Sequence, residues 1–214
     1  MKSQSKTLKN YLPVAIFALL CLTSIGLTNI AGLTIIFSIL YLFIENKNNK
    51  GTMEEIGFIR NNIINDIKKY WWLILLPAAF GIVSILLSKI VLPDFYLHVL
   101  ERIRPMLSLD KLFLLVPQLL ILAFGEEIAF RAFFQSRIIN IMKPIWAIII
   151  TSLLFAIGHF SAGAISLVIY DIFFIFIDSF VYGVIYQKTK NVYACTISHF
   201  LANLIGISIF IFVL

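Results

Sequence analysis

Long apolar runs alternate with short clusters of charge along this chain, and the runs have the length of helices rather than strands. The first, Tyr11 to Ile44, is too long for one crossing of about 30 Å of hydrocarbon and predicts two helices that break at Thr28-Asn29. A third helix is predicted from Tyr70 to Leu92, opened by the interfacial aromatics Tyr70, Trp71 and Trp72. A fourth spans Lys111 to Arg137, and a fifth begins after Lys143-Pro144 and ends near Phe160. The sixth covers Gly163 to Gln187, and the seventh runs on from Asn191. Between them, Glu45 to Lys69 reads as an amphipathic connector and Pro93 to Asp110 as a loop holding a short interfacial helix. The pattern predicts an all-α, polytopic transmembrane helical bundle of about seven spans.

Composition agrees. Of 214 residues, 61% are hydrophobic and 13% charged, against about 25% charged in a soluble domain. The net charge of +6 does not indicate nucleic acid, because the basic residues collect at helix ends, where they set topology and meet anionic headgroups. An N-terminus inside puts Lys2, Lys6, Lys9, Lys47, Lys50, Arg60, Lys68, Lys69, Arg137, Lys143, Lys188 and Lys190 on the inner side. Only Lys89, Arg102, Arg104 and Lys111 then fall outside. Merging the first two helices into one would destroy that bias. The expected location is the cell membrane of a bacterium, with no cleavable signal peptide, since the first apolar run is too long. Cys21 and Cys195 both lie in apolar segments, which argues against a structural disulfide. One integrated membrane domain is expected, with residues 1–110 supplying the first helices and connectors and 111–214 the core that carries the chemistry.

Charged residues interrupt the grease most sharply in GEEIAFRAFF, residues 125–134. An ionisable side chain inside a membrane is costly and marks a functional site or a paired structural one. Glu127 and Arg131 are four apart with the acid first, the favourable order for a pair along one helix face. That pair could be structural alone. Glu126 points about 100° away from Glu127, and Arg131 cannot easily serve both acids. A carboxylate without its own cation in low dielectric suits a general base. Further along, FAIGH sets Phe155 and His159 four apart, and HFLAN does the same for His199 and Asn203. At 1.5 Å per residue, Glu126 lies about 16 Å, His199 about 12 Å and His159 about 22 Å from the inner helix ends, so the three can meet if the helices tilt.

E-E-x-x-x-R, F-x-x-x-H and H-x-x-x-N, in this order on the fourth, fifth and seventh helices, resemble the CAAX prenyl protease and bacteriocin-processing (CPBP, or Abi) family of intramembrane proteases. The resemblance covers Lys111 to Leu214 and none of the first three helices. It implies a catalytic set of Glu126, Glu127, Arg131, His159, His199 and Asn203, with Glu126 activating the attacking water and Glu127 and Arg131 supporting it. The family's usual metal dependence implies a zinc ion held by His159 and His199, its bound water acidified and deprotonated by a glutamate. The stronger zinc signature H-E-x-x-H is absent. The same residues serve a metal-free hydrolysis, with His199 and Asn203 stabilising the oxyanion, and both mechanisms stay open. The substrate implied is a membrane-associated peptide or protein reached from the cytoplasmic side, in bacterial peptide processing or bacteriocin self-immunity. The alternatives are a CAAX-type prenyl-protein endopeptidase and a non-catalytic scaffold or immunity protein that keeps the fold.

Other polar residues read as packing. Cys195, His199 and Asn203 form one stripe, but neighbours stacked on a single helix rarely give the geometry an activated thiolate needs. Asp171 and Asp178 share a face of the sixth helix and either line the cavity, pair with Arg131 or form a polar seam. His98 and Glu101 read as a solvated surface pair. A proton-relaying transporter is the rival class for such charges, but the chain has neither an inverted repeat nor a pair of broken helices.

Overall fold

The computed structural model describes residues 2–23, 31–49, 53–103 and 112–212, and every regular element among them is helical. Helix α1 spans Lys2–Thr23, α2 Ala31–Asn49, α3 Ile63–Val91 and α4 Phe95–Ile103. Helix α5, Leu112–Glu127, runs straight into a π-helix, Ile128–Gln135, and a last α-turn, Ser136–Ile138. Helices α6 (Pro144–Gly158), α7 (Ile165–Thr189) and α8 (Val192–Phe212) complete the bundle. The expected break at Thr28-Asn29 and the expected helix start at Lys111 lie outside the described residues. The short helix expected after Pro93 is α4.

Four of these helices are long and apolar enough to cross a membrane: Ile63–Val91, Phe113–Ile138, Ile165–Thr189 and Val192–Ile209. The apolar stretches Tyr11–Thr23 and Pro144–Gly158 are shorter. Side chains that point away from the bundle are apolar, among them Leu19, Phe43, Val83, Phe113, Ile121 and Ile169. Such faces suit lipid rather than water.

The connector from Glu45 to Lys69 is not one amphipathic element. Helix α2 absorbs its beginning, a 3-10 turn at Met53–Ile56 its middle, and α3 its end. Helix α3 therefore starts seven residues earlier than its apolar run predicts, and the two parts meet at a kink where Tyr70 leaves helical geometry at φ −118°, ψ 22°. Trp71 and Trp72, just beyond the kink, are exposed, as interfacial anchors are.

Packing converges on the π-helix. Phe17 of α1 is fully buried, with ring centroids 5.1, 5.5 and 5.0 Å from Phe130, Phe133 and Phe134. Phe37 and Tyr41 of α2 meet Phe133 edge-on at 5.8 and 5.4 Å. Below this aromatic layer Arg137 pairs with Glu45 and lies over the Phe133 ring. Helix α3 packs along α8, and α6 along α7. The α6–α7 contact depends on Gly183, where an added Cβ would sit 2.8 Å from Ile148 Cγ2 and 3.0 Å from Gln135 Oε1. The Gly183 carbonyl also accepts the Gln135 side-chain amide at 3.0 Å.

The α7–α8 turn is tied to the α2–α3 connector. Asn191 donates to the Ile59 carbonyl at 2.9 Å and to Asp66 Oδ2 at 2.8 Å, and the Val192 amide donates to the Gly57 carbonyl. Gly57 has φ +96°, and a Cβ there would press on Tyr186 and the Lys190 carbonyl, so both the backbone and the space require glycine. We expect Gly183→Ala to lower stability by about 1–3 kcal/mol, the usual cost of overpacking. Thermal unfolding in mild detergent measures this, and an unchanged midpoint would show that α7 can move off α6 freely.

Candidate active site

The site is a row of ionisable groups from α5, the π-helix, α6 and α8. Glu127, the last residue of α5, is fully buried. It accepts hydrogen bonds from Arg131 Nε at 2.9 Å and from His199 Nδ1 at 3.0 Å. Arg131, equally buried, donates from Nη2 to Ser179 Oγ at 2.8 Å. Its guanidinium lies 5.6 Å over Phe155 and 5.9 Å over Tyr182, where the ring faces attract a cation. The expected i,i+4 pair therefore forms, and it also orients a histidine.

Glu126, one residue earlier, has a different environment. Its side chain is 20% exposed and stands between two imidazoles, with His199 Nε2 at 3.5 Å from Oε2 and His159 Nε2 at 3.8 Å from Oε1. Hydrogen bonding decides which ring nitrogens face it. His159 Nδ1 lies 2.9 Å from the Phe155 carbonyl, which can only accept, so Nδ1 carries the hydrogen. His199 Nδ1 faces a carboxylate paired with arginine and is the donor for the same reason. Both Nε2 atoms are thereby turned onto one carboxyl group. At 3.5–3.8 Å the gaps are wide for direct hydrogen bonds and suit a bridging water.

Aromatic rings hold the imidazoles in place. Tyr182 stacks on His199 at 4.7 Å and 20°. Phe155 lies against His159 at 4.5 Å, and its edge meets His199 at 5.6 Å. Helix α6 has only fifteen residues, so its C-terminal end, where His159 sits, stops at the depth of Glu126 rather than beyond it. A cavity of ≈ 20 Å³ opens beside them, lined by Cys21, Thr34, Ile35, Glu126, Phe130, Gly158 and His159, with room for a water-sized group.

Glu126, Glu127, Arg131, His159 and His199 thus form one connected cluster. Asn203, the remaining candidate, stands one turn beyond His199 on α8, half-buried. Cys195, one turn before His199, is fully buried with its thiol 3.5 Å from the Tyr182 and Asn191 carbonyls, a packing position. Neither cysteine is in a disulfide. Arg131 bonds Glu127 and Ser179, and its Nη1 is buried without a hydrogen-bond partner. Asp171 faces His98 Nε2 at 3.6 Å, both side chains about 5% exposed. The expectation of a solvated His98–Glu101 pair is thus overturned, because α4 folds back on α7 and buries His98. Asp178 Oδ1 is buried without a hydrogen-bond partner. Ser179 and Tyr182, which complete the cluster, carry no signal in the sequence, since both act on residues about 17–48 positions away.

A zinc centre of the catalytic kind takes three protein ligands. Here two imidazole nitrogens are available, and the third group between them is Glu126 itself. Among the described residues no set of three or more His, Cys, Asp or Glu is arranged to hold a metal ion. His159 Nε2 and His199 Nε2, which flank Glu126, are the nitrogens that would hold such an ion.

Residues 108–205 match the family model described as Type II CAAX prenyl endopeptidase Rce1-like. This stretch is similar to a family of proteases by that description, and it contains every residue of the cluster and Asn203. Helices α1 to α4 lie outside it. Comparison with curated proteins and with solved structures gives no match.

Breaking the buried pair should be severe. Glu127→Leu or Arg131→Met alone is expected to cost about 3–5 kcal/mol by stranding a charge, and the double change clearly less than the sum. A double-mutant cycle on thermal unfolding measures this, and additive losses would mean the two side chains do not interact.

Proposed function

We propose that the protein is an intramembrane endopeptidase in which Glu126 is the general base. The observation that carries this reading is the convergence of both free imidazole nitrogens on a single, partly exposed carboxylate beside a cavity. Water held between Glu126 and His159 Nε2 gives a proton to Glu126 as its oxygen attacks the scissile carbonyl. The proton crosses to His199 Nε2, and the imidazolium, held from behind by Glu127, faces the oxyanion together with the Asn203 amide. Collapse of the tetrahedral intermediate breaks the C–N bond. The same proton then goes to the leaving amine, leaving a new carboxyl end and a new amino end.

We place seven crossings in the membrane, with the N-terminus on the cytoplasmic side. Two observations support this arrangement. Arg137–Glu45 and the Asn191 bonds to Ile59 and Asp66 join segments that the basic residues assign to the inner face. At the other end, α4 packs on the start of α7 through Phe95 and Tyr170, 4.8 Å apart. Glu126 stands midway along the span Phe113–Ile138, so a substrate arriving from the cytoplasmic side must be a membrane-inserted segment. Peptide processing and bacteriocin self-immunity are two settings for this one chemistry. A prenylated C-terminal segment is a second reading, favoured by the description of the matched family. Cleavage of one peptide with and without its prenyl group separates the two.

Glu126→Gln is expected to lower peptide cleavage in micelles by about 10²–10⁴-fold while leaving the unfolding midpoint near that of the parent. A folded variant with full activity would move the base elsewhere. Dialysis against a chelator should leave the cleavage rate unchanged. A loss restored by added zinc would instead put a metal on the Nε2 atoms of His159 and His199.

A further inference from the structure

The residues around Glu126 come from two sources. Phe130 and His159 belong to the Rce1-like stretch, whereas Cys21, Thr34 and Ile35 come from α1 and α2. The contact between the two parts is close and direct. Ile35 Cγ2 lies 3.0 Å from where a Cβ on Gly125 would stand, so α2 rests on bare backbone one residue before the base. Thr34 and Cys21 beside it are buried. The wall is also braced, because Phe17, on the same helix as Cys21, sits among Phe130, Phe133 and Phe134. Phe37 and Tyr41, on the same helix as Thr34 and Ile35, grip Phe133.

We infer that the α1–α2 pair forms the selectivity wall of the active site, and that Ile35, with Thr34 and Cys21, limits the substrate side chain next to the scissile bond to a small aliphatic one. The cavity of ≈ 20 Å³ suits a group of methyl size, and its walls are mainly apolar. A substrate carbonyl held against Glu126 and His159 has its neighbouring side chain directed at this space. The core supplies the reaction and the first two helices choose what it acts on. This inference rests on Glu126 being the base.

The test has two arms. In the first, wild type, Ile35→Ala, Ile35→Val and Ile35→Phe cleave a randomised peptide library in micelles, with products read by mass spectrometry. Ile35→Ala should raise cleavage beside leucine-sized residues by about tenfold or more relative to alanine, the usual worth of a methylene or two in an apolar pocket. Ile35→Val should fall between, and Ile35→Phe should favour glycine. Ile39→Ala, one turn along α2 on an exposed position, should leave the profile alone. Cleavage with the same profile in all variants would overturn the inference. In the second arm, a pool of short apolar peptides carrying photo-leucine is crosslinked to Glu126→Gln/Ile35→Ala and to Glu126→Gln/Ile35→Phe. Crosslinks at residues 34–35 that form in the Ile35→Ala background and vanish in the Ile35→Phe background support the wall independently of turnover. If wild type cleaves nothing but these crosslinks form, the hydrolase reading fails and the binding wall stands. If neither occurs, both fail.

Discussion

The charge of Arg131 is the constraint on which the rest of the structure depends. A guanidinium with no exposed surface, at the level of lipid tails, is tolerable only where its charge is compensated. Glu127 supplies the countercharge at Nε and Ser179 an acceptor at Nη2, the faces of Phe155 and Tyr182 attract the cation, and Nη1 is buried without a hydrogen-bond partner. These partners come from α5, α6 and α7, so one cation draws three helices together. Because Glu127 has a second oxygen to spare, the same compensation fixes His199 and brings in α8. The cluster is in this sense a by-product of burying one arginine, and Glu126 is the acid of the adjacent pair that the arginine leaves over.

The π-helix at Ile128–Gln135 is where this becomes possible. A wider helix places residues at angles that an ordinary α-helix does not offer, and such stretches recur at functional sites. Here it presents Arg131 inward while Phe130, Phe133 and Phe134 surround Phe17 of α1. Polar compensation on one side and aromatic packing on the other hold the same eight residues, which accounts for their complete burial.

Much of this was legible in the sequence because membrane burial makes polar residues conspicuous. Against a background of Leu, Ile and Phe, the pair Glu126-Glu127, Arg131, His159 and His199 stand out individually, and their order along the helices carries the resemblance to a protease family. The i,i+4 spacing of Glu127 and Arg131 foretold a real contact because it is local. What could not be read is non-local or isotropic in sequence. Ser179 looks like any serine in a membrane helix until Arg131 reaches it. Tyr182 gives no hint that it stacks on His199. The kink at Tyr70 hid the true start of α3, because the polar turn before it lacks the apolar signal by which a span is recognised. His98 misled for the opposite reason: a histidine among charged neighbours in a connecting segment looks solvated, and only the docking of α4 on α7 buries it.

The short turn between α7 and α8 has a consequence for biogenesis. Only Lys190 and Asn191 separate the two helices, too little chain for them to insert at different times or in different places, so they must enter the bilayer as one unit. That unit carries Ser179, Tyr182 and His199, whereas Glu126, Glu127 and Arg131 are already in the membrane on an earlier helix. During synthesis the nascent chain therefore carries the Glu127–Arg131 pair without Ser179, Tyr182 and His199, and the cluster is complete only when the α7–α8 hairpin docks. Translation order itself keeps the cluster from assembling before the scaffold that confines it.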